Sequence, residues 1–178
     1  MKENINIEFW KTPFGELILG SFNDELCLCD WRYRTKRNAI DQRIQKGLET
    51  SFVEKSTPII DEAKLQLQEY FKGERKTFSI PLRLVGTPFQ QSVWKELQQI
   101  KFGSTETYLG LSQRLNNEKA IRAVASANGA NALSILIPCH RIIGADNRLV
   151  GYAGGVNAKK KLLDLEGGIN KNQLNLFE

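Results

Sequence analysis

Cys139 and His140 are the residues best suited to carry out chemistry, and they stand side by side between Pro138 and Arg141. They follow an apolar run, Leu133 to Ile137, that is typical of a buried segment. Pro138 fixes the backbone where this run ends. Reactive groups are often held on such short connections, so a thiol nucleophile beside a histidine base is one interpretation. A small buried cysteine next to a structural histidine is the other.

The elements that must position this motif begin with a predicted sheet. Apolar and polar residues alternate on both sides of a turn at Thr12 to Gly15, which predicts a β-hairpin, and a third strand is predicted from Leu26 to Trp31. Cys27, Cys29 and Trp31 are expected on one face of that strand, because side chains alternate in direction. Core packing of the two cysteines is favoured over metal binding, since no further cysteine or histidine lies nearby.

Helices and one more strand are predicted to complete the first half. One helix is expected to reach about Lys46, a second begins at Thr57-Pro58, and Phe78 to Leu84 is interpreted as a short strand. The basic run from Arg32 to Arg37 could contact phosphates, but a solvated face is the favoured interpretation. No chemistry is expected in this half, which is predicted to support the second.

Four helices are predicted in the second half, the last of them from Asn157 to Leu165. Thr87, Pro88 and Gln90 form a capping-box start, and two short helices follow, from about Thr107 to Leu115 and from Glu118 to about Ala127. Two short helices joined by a tight polar turn indicate a helix-turn-helix. The third helix is rich in alanine, so it can approach another surface closely. Arg122 is expected to point outward while Ile121 is buried.

Residues 87 to 168 resemble the C-terminal domain of the O6-alkylguanine-DNA alkyltransferases, also called methylated-DNA–protein-cysteine methyltransferases. The resemblance rests on motifs that occur in order: Thr87-Pro88-Phe89-Gln90 with Val93-Trp94, Ile121-Arg122-Ala123-Val124, Ala127-Asn128-Gly129-Ala130-Asn131, Ile137-Pro138-Cys139-His140-Arg141, Gly151-Tyr152-Ala153-Gly154-Gly155 and Leu165-Glu166-Gly167. It implies an α+β fold. A small N-terminal α/β domain with a hairpin-rich sheet (residues 1–86) precedes a mostly helical domain with the helix-turn-helix (87–168) and a tail (169–178).

The resemblance also implies the activity. Such proteins repair O6-alkylguanine in duplex DNA by flipping the base and moving the alkyl group irreversibly onto their own cysteine, and O4-alkylthymine is a further candidate substrate. Double-stranded DNA is thus the expected partner, with no cofactor and no metal. Two rival interpretations are a helix-turn-helix regulator without chemistry and a Cys-His hydrolase. Ala132, Asn128 and Ala153 depart from residues common in the family, which leaves the breadth of substrates open.

The resemblance assigns roles residue by residue. Cys139 is expected to accept the alkyl group, with His140 and Glu166 activating it through a water, and Tyr108 to donate a hydrogen bond to guanine N3. A salt bridge from Glu166 to Lys159, Lys160 or Lys161, and a core position for Tyr108, are the alternatives. The other expected positions are Arg122, Ala123 and Asn128 for DNA binding, Asn131 as a hinge, and Ile142, Tyr152 and Ala153 in the substrate pocket.

Composition is consistent with this interpretation. The net charge of +5 is concentrated in the second half: residues 1 to 87 hold 14 Lys+Arg and 13 Asp+Glu (+1), and residues 88 to 178 hold 11 and 7 (+4). A basic excess favours an acidic partner such as DNA. No apolar run is long enough for a membrane span, and no signal peptide is recognisable. Three cysteines fit a reducing compartment, so a cytoplasmic location is expected. The protein is also expected to be a monomer.

The C-terminal tail carries a separate motif. Gln173, Leu174, Leu176 and Phe177 resemble the Gln-Leu-x-Leu-Phe pattern by which many bacterial replication and repair proteins bind the DNA sliding clamp. The alternative is that these apolar residues fold back onto the core. By average residue usage, such a match arises by chance on the order of once in 10⁵ windows.

Overall fold

The computed structural model describes residues 3–167. Its first half is built on a four-stranded sheet of β1 (Ile5–Thr12), β2 (Gly15–Phe22), β3 (Glu25–Trp31) and β4 (Phe52–Glu54). The strand order is β3-β2-β1-β4, with β4 parallel to β1 and the other pairs antiparallel. The predicted hairpin is confirmed, and Gly15 at its turn has a φ of +139°, a value that favours glycine.

Two helices complete this half. α1 (Arg37–Leu48) follows β3 directly, and α2 (Pro58–Phe71) packs against β2 and β3. The side chain of Thr57 caps α2 by accepting a hydrogen bond from the backbone of Ile60 at 3.4 Å, with Pro58 at the first helical position. The prediction of this helix start is therefore confirmed.

Two strand predictions were wrong. Phe78 to Leu84 forms only a single bridge, between Leu82 and Leu26, beside the backbone bond from Leu26 N to the Pro81 carbonyl at 2.9 Å. Proline cannot donate a hydrogen bond, which limits pairing along this segment. Cys27 does not share a face with Cys29, because the β2–β3 register shifts at a bulge and Cys27 packs in a different core cluster.

The second half is mostly helical. Its helices are α3 (Pro88–Leu97), α4 (Tyr108–Arg114), α5 (Ile121–Gly129) and α6 (Val156–Glu166), and two short parallel strands pair as β5 (Glu106–Thr107) and β6 (Ile142–Ile143). The capping box of Thr87 and Gln90 is formed as predicted. Residues Glu118–Ala120 form a 3₁₀ turn, so α5 begins three residues later than predicted. The mixed α+β architecture agrees with the expected fold class.

The two halves share one hydrophobic core. The larger core cluster includes Leu19 and Leu67 from the first half together with Trp94, Leu136 and Leu162 from the second. Burial of this surface holds the sheet and α2 against the second half, which carries the motif. Within residues 3–167, no helix has both the length and the apolar character needed to cross a membrane.

Candidate active site and DNA-binding surface

Cys139, His140 and Arg141 form one short 3₁₀ turn directly after Pro138. The turn is closed by a hydrogen bond from Arg141 N to the Pro138 carbonyl at 3.0 Å. All three side chains are buried, with exposed fractions of 4%, 0% and 6%. The turn thus presents three polar groups to the protein interior, where each requires a partner.

Asn131 fixes the position of the Cys139 thiol. Its Nδ2 donates to Cys139 Sγ at 3.2 Å and to the Ile137 carbonyl at 2.9 Å, while its Oδ1 accepts from Leu133 N at 2.9 Å. Burial raises the pKa of Cys139, and the hydrogen bond from Asn131 only partly offsets this. The resting thiol is therefore protonated, and a nucleophilic role requires a base.

Glu166 is the carboxylate around which the turn is assembled. Its Oε1 lies 2.7 Å from His140 Nε2 and accepts from the Tyr70 hydroxyl at 2.6 Å, and its Oε2 accepts from Arg141 Nε at 2.8 Å. Burial alone would raise the pKa of Glu166, but hydrogen bonds from His140 and Arg141 lower it to about 2. Glu166 is thus ionised at the end of α6, despite the unfavourable helix dipole there.

The alternative of a lysine partner for Glu166 is not what the structure shows. Lys159 is fully buried and donates instead to the carbonyls of Val150, at 2.9 Å, and Ile142. The cation beside Glu166 is Arg141, which sequence reasoning named in the motif without giving it a role. The Tyr70 contact spans 96 residues of sequence, and no local signal indicates it.

The hydrogen bonds of His140 define its tautomer. Burial lowers the pKa of His140, so the imidazole is neutral. Since ionised Glu166 can only accept, Nε2 carries the proton. Nδ1 is then an unprotonated, buried nitrogen, and it has no hydrogen-bond partner within residues 3–167. This leaves Nδ1 free to take up a proton.

Cys139 lies in a cleft of about 720 Å³ that is lined by both halves of the chain. Tyr152 and Ala153, which the resemblance assigns to the substrate pocket, line this cleft. Tyr108 and Asn128, assigned to catalysis and to DNA binding, line it as well. Ile142 does not: its side chain is fully buried in the core, because pairing of β6 with β5 turns this segment inward. Assigning Ile142 to the pocket was therefore wrong.

The glycine-rich loop packs closely against the first half. A Cβ atom at Gly154 would overlap the indole ring of Trp31, which also lies edge-on to Tyr152 with ring centroids 5.8 Å apart. Trp31 and Phe14 line the cleft as well. The first half therefore forms part of the site, contrary to the expectation that it only supports the second.

Tyr108 begins α4 and is half-buried at the wall of the cleft. Burial raises its pKa, and the neighbouring Cys139 raises it further. The phenol therefore stays protonated and keeps a proton to donate. Tyr108 thus lies in the cleft wall and also packs against the hydrophobic core.

The exposed face of α5 is a candidate DNA-binding surface. Arg122 is exposed, as predicted, and Ala123 beside it is exposed too. Ile121 was expected to be buried but is 37% exposed, because Val124 and Ala127 provide the anchoring contacts instead. Asn128 lies at the other end of the helix, buried and facing the cleft, where its Oδ1 has no hydrogen-bond partner within residues 3–167.

Arginines from the first half bind the carboxyl end of α5. Arg34 donates to the carbonyls of Gly129, at 2.5 Å, and Asn131, at 3.2 Å. Arg43 donates to the Ala130 carbonyl at 2.8 Å. These bonds satisfy carbonyls that a helix end leaves free. Sequence reasoning noted Arg34 only as part of a basic run.

Comparison with known proteins places this architecture in a family. The chain matches the model of the DNA-binding domain of 6-O-methylguanine DNA methyltransferase over residues 88–168, and that of the ribonuclease-like domain of the same proteins over residues 5–84. A methylated-DNA–protein-cysteine methyltransferase of Methanosarcina acetivorans is 49% identical over 89% of this chain and 96% of its own length. The constitutive one of Bacillus subtilis is 43% identical over 88% and 92%.

Solved structures show the same architecture. The crystal structure of Mycobacterium tuberculosis OGT in complex with DNA is 35% identical, with a TM-score of 0.78, and the alignment covers 97% of this chain and 99% of that one. The O6-methylguanine-DNA methyltransferase of Pyrococcus kodakaraensis gives a TM-score of 0.70 at 25% identity, covering 92% and 99%.

Proposed function

Because the chain belongs to the O6-methylguanine-DNA methyltransferase family, we propose that it repairs DNA by transferring the alkyl group of O6-alkylguanine to Cys139. The observation that carries this proposal is the arrangement of Cys139 in an open cleft beside a neutral His140 bound to an ionised Glu166. Each protein molecule acts once, since the thioether product has no nearby group that could cleave it.

His140 serves as the base. Glu166 holds the proton on Nε2, which directs the unprotonated Nδ1 to accept the thiol proton through a bridging water. The sulfur then bonds to the alkyl carbon, and the carbon–oxygen bond breaks with its electron pair remaining on the base. Tyr108 stabilises the guanine anion by donating a hydrogen bond to N3. The base finally gains one proton as His140 returns one to solvent.

The surface of α5 provides access to the damaged base. A base within a duplex must be extruded before a protein can act on it. Arg122 and Ala123 on the exposed face enter the DNA groove, and Arg122 fills the gap left by the extruded nucleotide. Asn128, Tyr152 and Ala153 line the cleft that receives the base.

Asn131 connects the two operations as the hinge between α5 and the reactive turn. Its main-chain carbonyl is bound by Arg34, and its side chain is bound to the thiol. Movement of α5 against DNA is therefore transmitted to the residue that holds Cys139.

A transfer assay tests the proposal. The protein is mixed with a duplex that contains one O6-methylguanine, and the expected result is one methyl group per protein, mapped by peptide mass spectrometry to Cys139. DNA binding without any methylation of the protein would instead support the interpretation as a helix-turn-helix regulator without chemistry. Turnover of many equivalents of an ester or amide substrate would indicate a Cys-His hydrolase.

We also propose that the tail binds the bacterial DNA sliding clamp. Gln173, Leu174, Leu176 and Phe177 lie outside the described residues, so this proposal is supported by the sequence alone. The glutamine offers hydrogen bonds, and the three apolar side chains offer anchors for a pocket. Binding to the clamp would bring the protein to newly replicated DNA, where O6-alkylguanine mispairs.

Titration of purified clamp with a peptide of residues 169–178 tests this second proposal. Micromolar affinity that is lost in a peptide carrying Leu176→Ala and Phe177→Ala is expected. If neither the peptide nor the full chain binds the clamp, the tail has another role, such as folding back onto the core. We further propose that the protein acts as a monomer in the cytoplasm, which sedimentation and cell fractionation would test.

A further inference from the structure

The loop between β3 and α1 lies at the cleft that contains Cys139. We call residues 32–36 the rim loop; its members Tyr33, Arg34, Thr35 and Lys36 line the cleft together with Ala125 and Gly129 of α5. Tyr33, Thr35 and Lys36 are exposed. The rim loop and the carboxyl-terminal part of α5 thus border one opening, and a nucleotide that enters the cleft must pass both.

The cations of this region divide into two groups. Arg34 and Arg37 are committed to the fold, since both pair with the buried carboxylate of Asp30, at 3.0 and 2.8 Å. Lys36 is different: it is exposed, and within residues 3–167 it forms no ion pair with a carboxylate. The fold therefore leaves the charge of Lys36 available to a ligand at the cleft.

The carboxylate in the lining of the cleft is already paired with a cation. Glu16, which also lines the cleft, pairs with Arg32 at 2.6 Å. The guanidinium of Arg32 is further held over the ring of Phe9, 4.0 Å from its centroid. The carboxylate thus has a fixed counter-charge, and the rim remains net basic through Lys36.

Tyr33 adds an aromatic surface beside this charge. It is 75% exposed, the largest exposed fraction among the large hydrophobic residues that the structure describes. The guanidinium of Arg32 lies 5.2 Å from its ring centroid. Exposed aromatic rings beside cations are typical of surfaces that bind the bases and backbone of locally unpaired nucleic acid strands.

We propose that the rim loop binds the DNA strand that carries the extruded nucleotide. When a base reaches Cys139, its flanking phosphates remain outside the cleft. Lys36 neutralises one of these phosphates, and Tyr33 packs against the neighbouring sugar or base. This inference rests on the proposed function, because a damaged base must enter the cleft, and it adds a first-half DNA contact to the helix-turn-helix.

The salt dependence of DNA binding tests the phosphate contact without any reaction. Affinity for a duplex with one O6-methylguanine is measured over a range of salt concentrations for Cys139→Ala, which cannot accept the alkyl group, with and without Lys36→Gln. Every variant in this comparison carries Cys139→Ala, so no transfer occurs. Loss of one phosphate contact should reduce the slope of log affinity against log salt by about 0.9 and weaken binding several-fold. Lys55→Gln is the matched control, since Lys55 is an exposed lysine following β4, at the opposite edge of the sheet from β3.

Equal slopes with and without Lys36→Gln, on the duplex that contains O6-methylguanine, would overturn the phosphate contact. A slope reduced as much in Lys55→Gln would overturn it too, because the effect would then reflect net charge alone. Both substitutions are on the surface, so the fold is expected to persist in each variant.

Transfer kinetics test the role of Tyr33. Tyr33→Ala should slow methyl transfer from duplex O6-methylguanine several-fold while leaving the reaction with free O6-benzylguanine unchanged, because the free base has no flanking strand. Tyr33→Phe should retain the wild-type rate with duplex DNA, since it keeps the ring. Equal rates for Tyr33→Ala and wild type on the duplex, or equal losses on both substrates, would overturn the contact.

The two proposals fail in different ways. A wild-type protein whose Cys139 is alkylated by neither substrate would refute the proposed function. The salt-slope comparison would still decide whether Lys36 contacts phosphate, since it measures binding and needs no transfer reaction. If the wild type is alkylated on Cys139 but Lys36→Gln does not change the salt slope and Tyr33→Ala does not change the duplex rate, only the proposed DNA contact of the rim loop is refuted.

Discussion

The three cysteines of the chain show that a perturbed thiol is not by itself a reactive one. Burial raises the pKa of all three, to about 12 for Cys27 and higher for Cys29. Cys139 differs in its surroundings: it opens into the cleft, accepts a hydrogen bond from Asn131, and stands beside His140. Its reactivity must therefore come from a base that acts during the reaction.

Cys139→Ala should abolish alkyl transfer and leave DNA binding intact, because Arg122 and Ala123 lie on a different surface from the thiol. Peptide mapping after exposure to O6-methylguanine DNA checks the first expectation, and affinity for undamaged duplex checks the second. Alkylation of Cys27 or Cys29 in this variant would contradict the assignment of the acceptor.

Glu166→Gln should slow transfer by about tenfold or more and shift its pH profile. The charge of Glu166 raises the pKa of His140, opposing the effect of burial. Without that charge the histidine is a weaker base, which lowers the rate. Since transfer requires neutral His140, the acidic limb of the rate profile should move to lower pH.

Transfer rates from quenched single-turnover reactions over a range of pH measure this shift, and the melting temperature of the variant is recorded in parallel. The variant leaves Arg141 buried without its anion, so some loss of stability is expected. A stable variant with an unchanged rate and profile would mean that Glu166 is purely structural.

At the scale of elements, α5 combines an exposed face with an end that reaches the cleft. Arg122→Ala should therefore slow transfer from duplex DNA by about tenfold or more, because binding and base extrusion both depend on this face. Transfer to free O6-benzylguanine should be unaffected. Arg75→Ala, which removes an arginine paired with Glu69 after α2, is the matched control. Equal losses on both substrates would show that Arg122 supports the fold.

Local signals predicted the elements well where the chemistry of a few neighbouring residues decides the structure. The capping box at Thr87 and Gln90 is such a case, since both of its hydrogen bonds form within one helical turn. The prediction of a strand at Phe78 to Leu84 was wrong, because strand pairing depends on a partner that is distant in the sequence. The burial of Ile121 failed for a related reason: which face of α5 is covered is decided by how the helix packs, not by its own sequence.

At the scale of the whole molecule, the site depends on contacts between residues far apart in sequence. The motif around Cys139 and the pairing of His140 with Glu166 were predicted through a family resemblance. The Tyr70 contact to Glu166 and the arginines at the end of α5 were not, because each joins residues about 90 or more positions apart. Only the packing of the two halves brings these groups together.

Asp30 provides the most stringent test of this packing. Its carboxylate is fully buried and binds Arg34 at 3.0 Å, Arg37 at 2.8 Å and the Ser134 hydroxyl at 3.0 Å. Asp30→Asn would leave the buried Arg34 without its anion and remove one of the two carboxylates that pair with Arg37. This should lower the free energy of unfolding by about 3–5 kcal/mol in urea titrations. Glu16→Gln, which breaks the more exposed pair with Arg32, should have a much smaller effect.

Asp30→Asn should also affect the transfer rates with duplex DNA and with free O6-benzylguanine to different extents. Arg34 also binds the carbonyls of Gly129 and Asn131, so loosening it frees the carboxyl end of α5, the helix proposed to bind DNA. Transfer from duplex DNA should therefore fall more than transfer to free O6-benzylguanine. If Asp30→Asn does not fold, Ser134→Ala removes one hydrogen bond to the same carboxylate, with an expected cost of about 1 kcal/mol. If the folded variant loses the same fraction of its wild-type rate on both substrates, Asp30 stabilises the two halves without affecting the use of DNA.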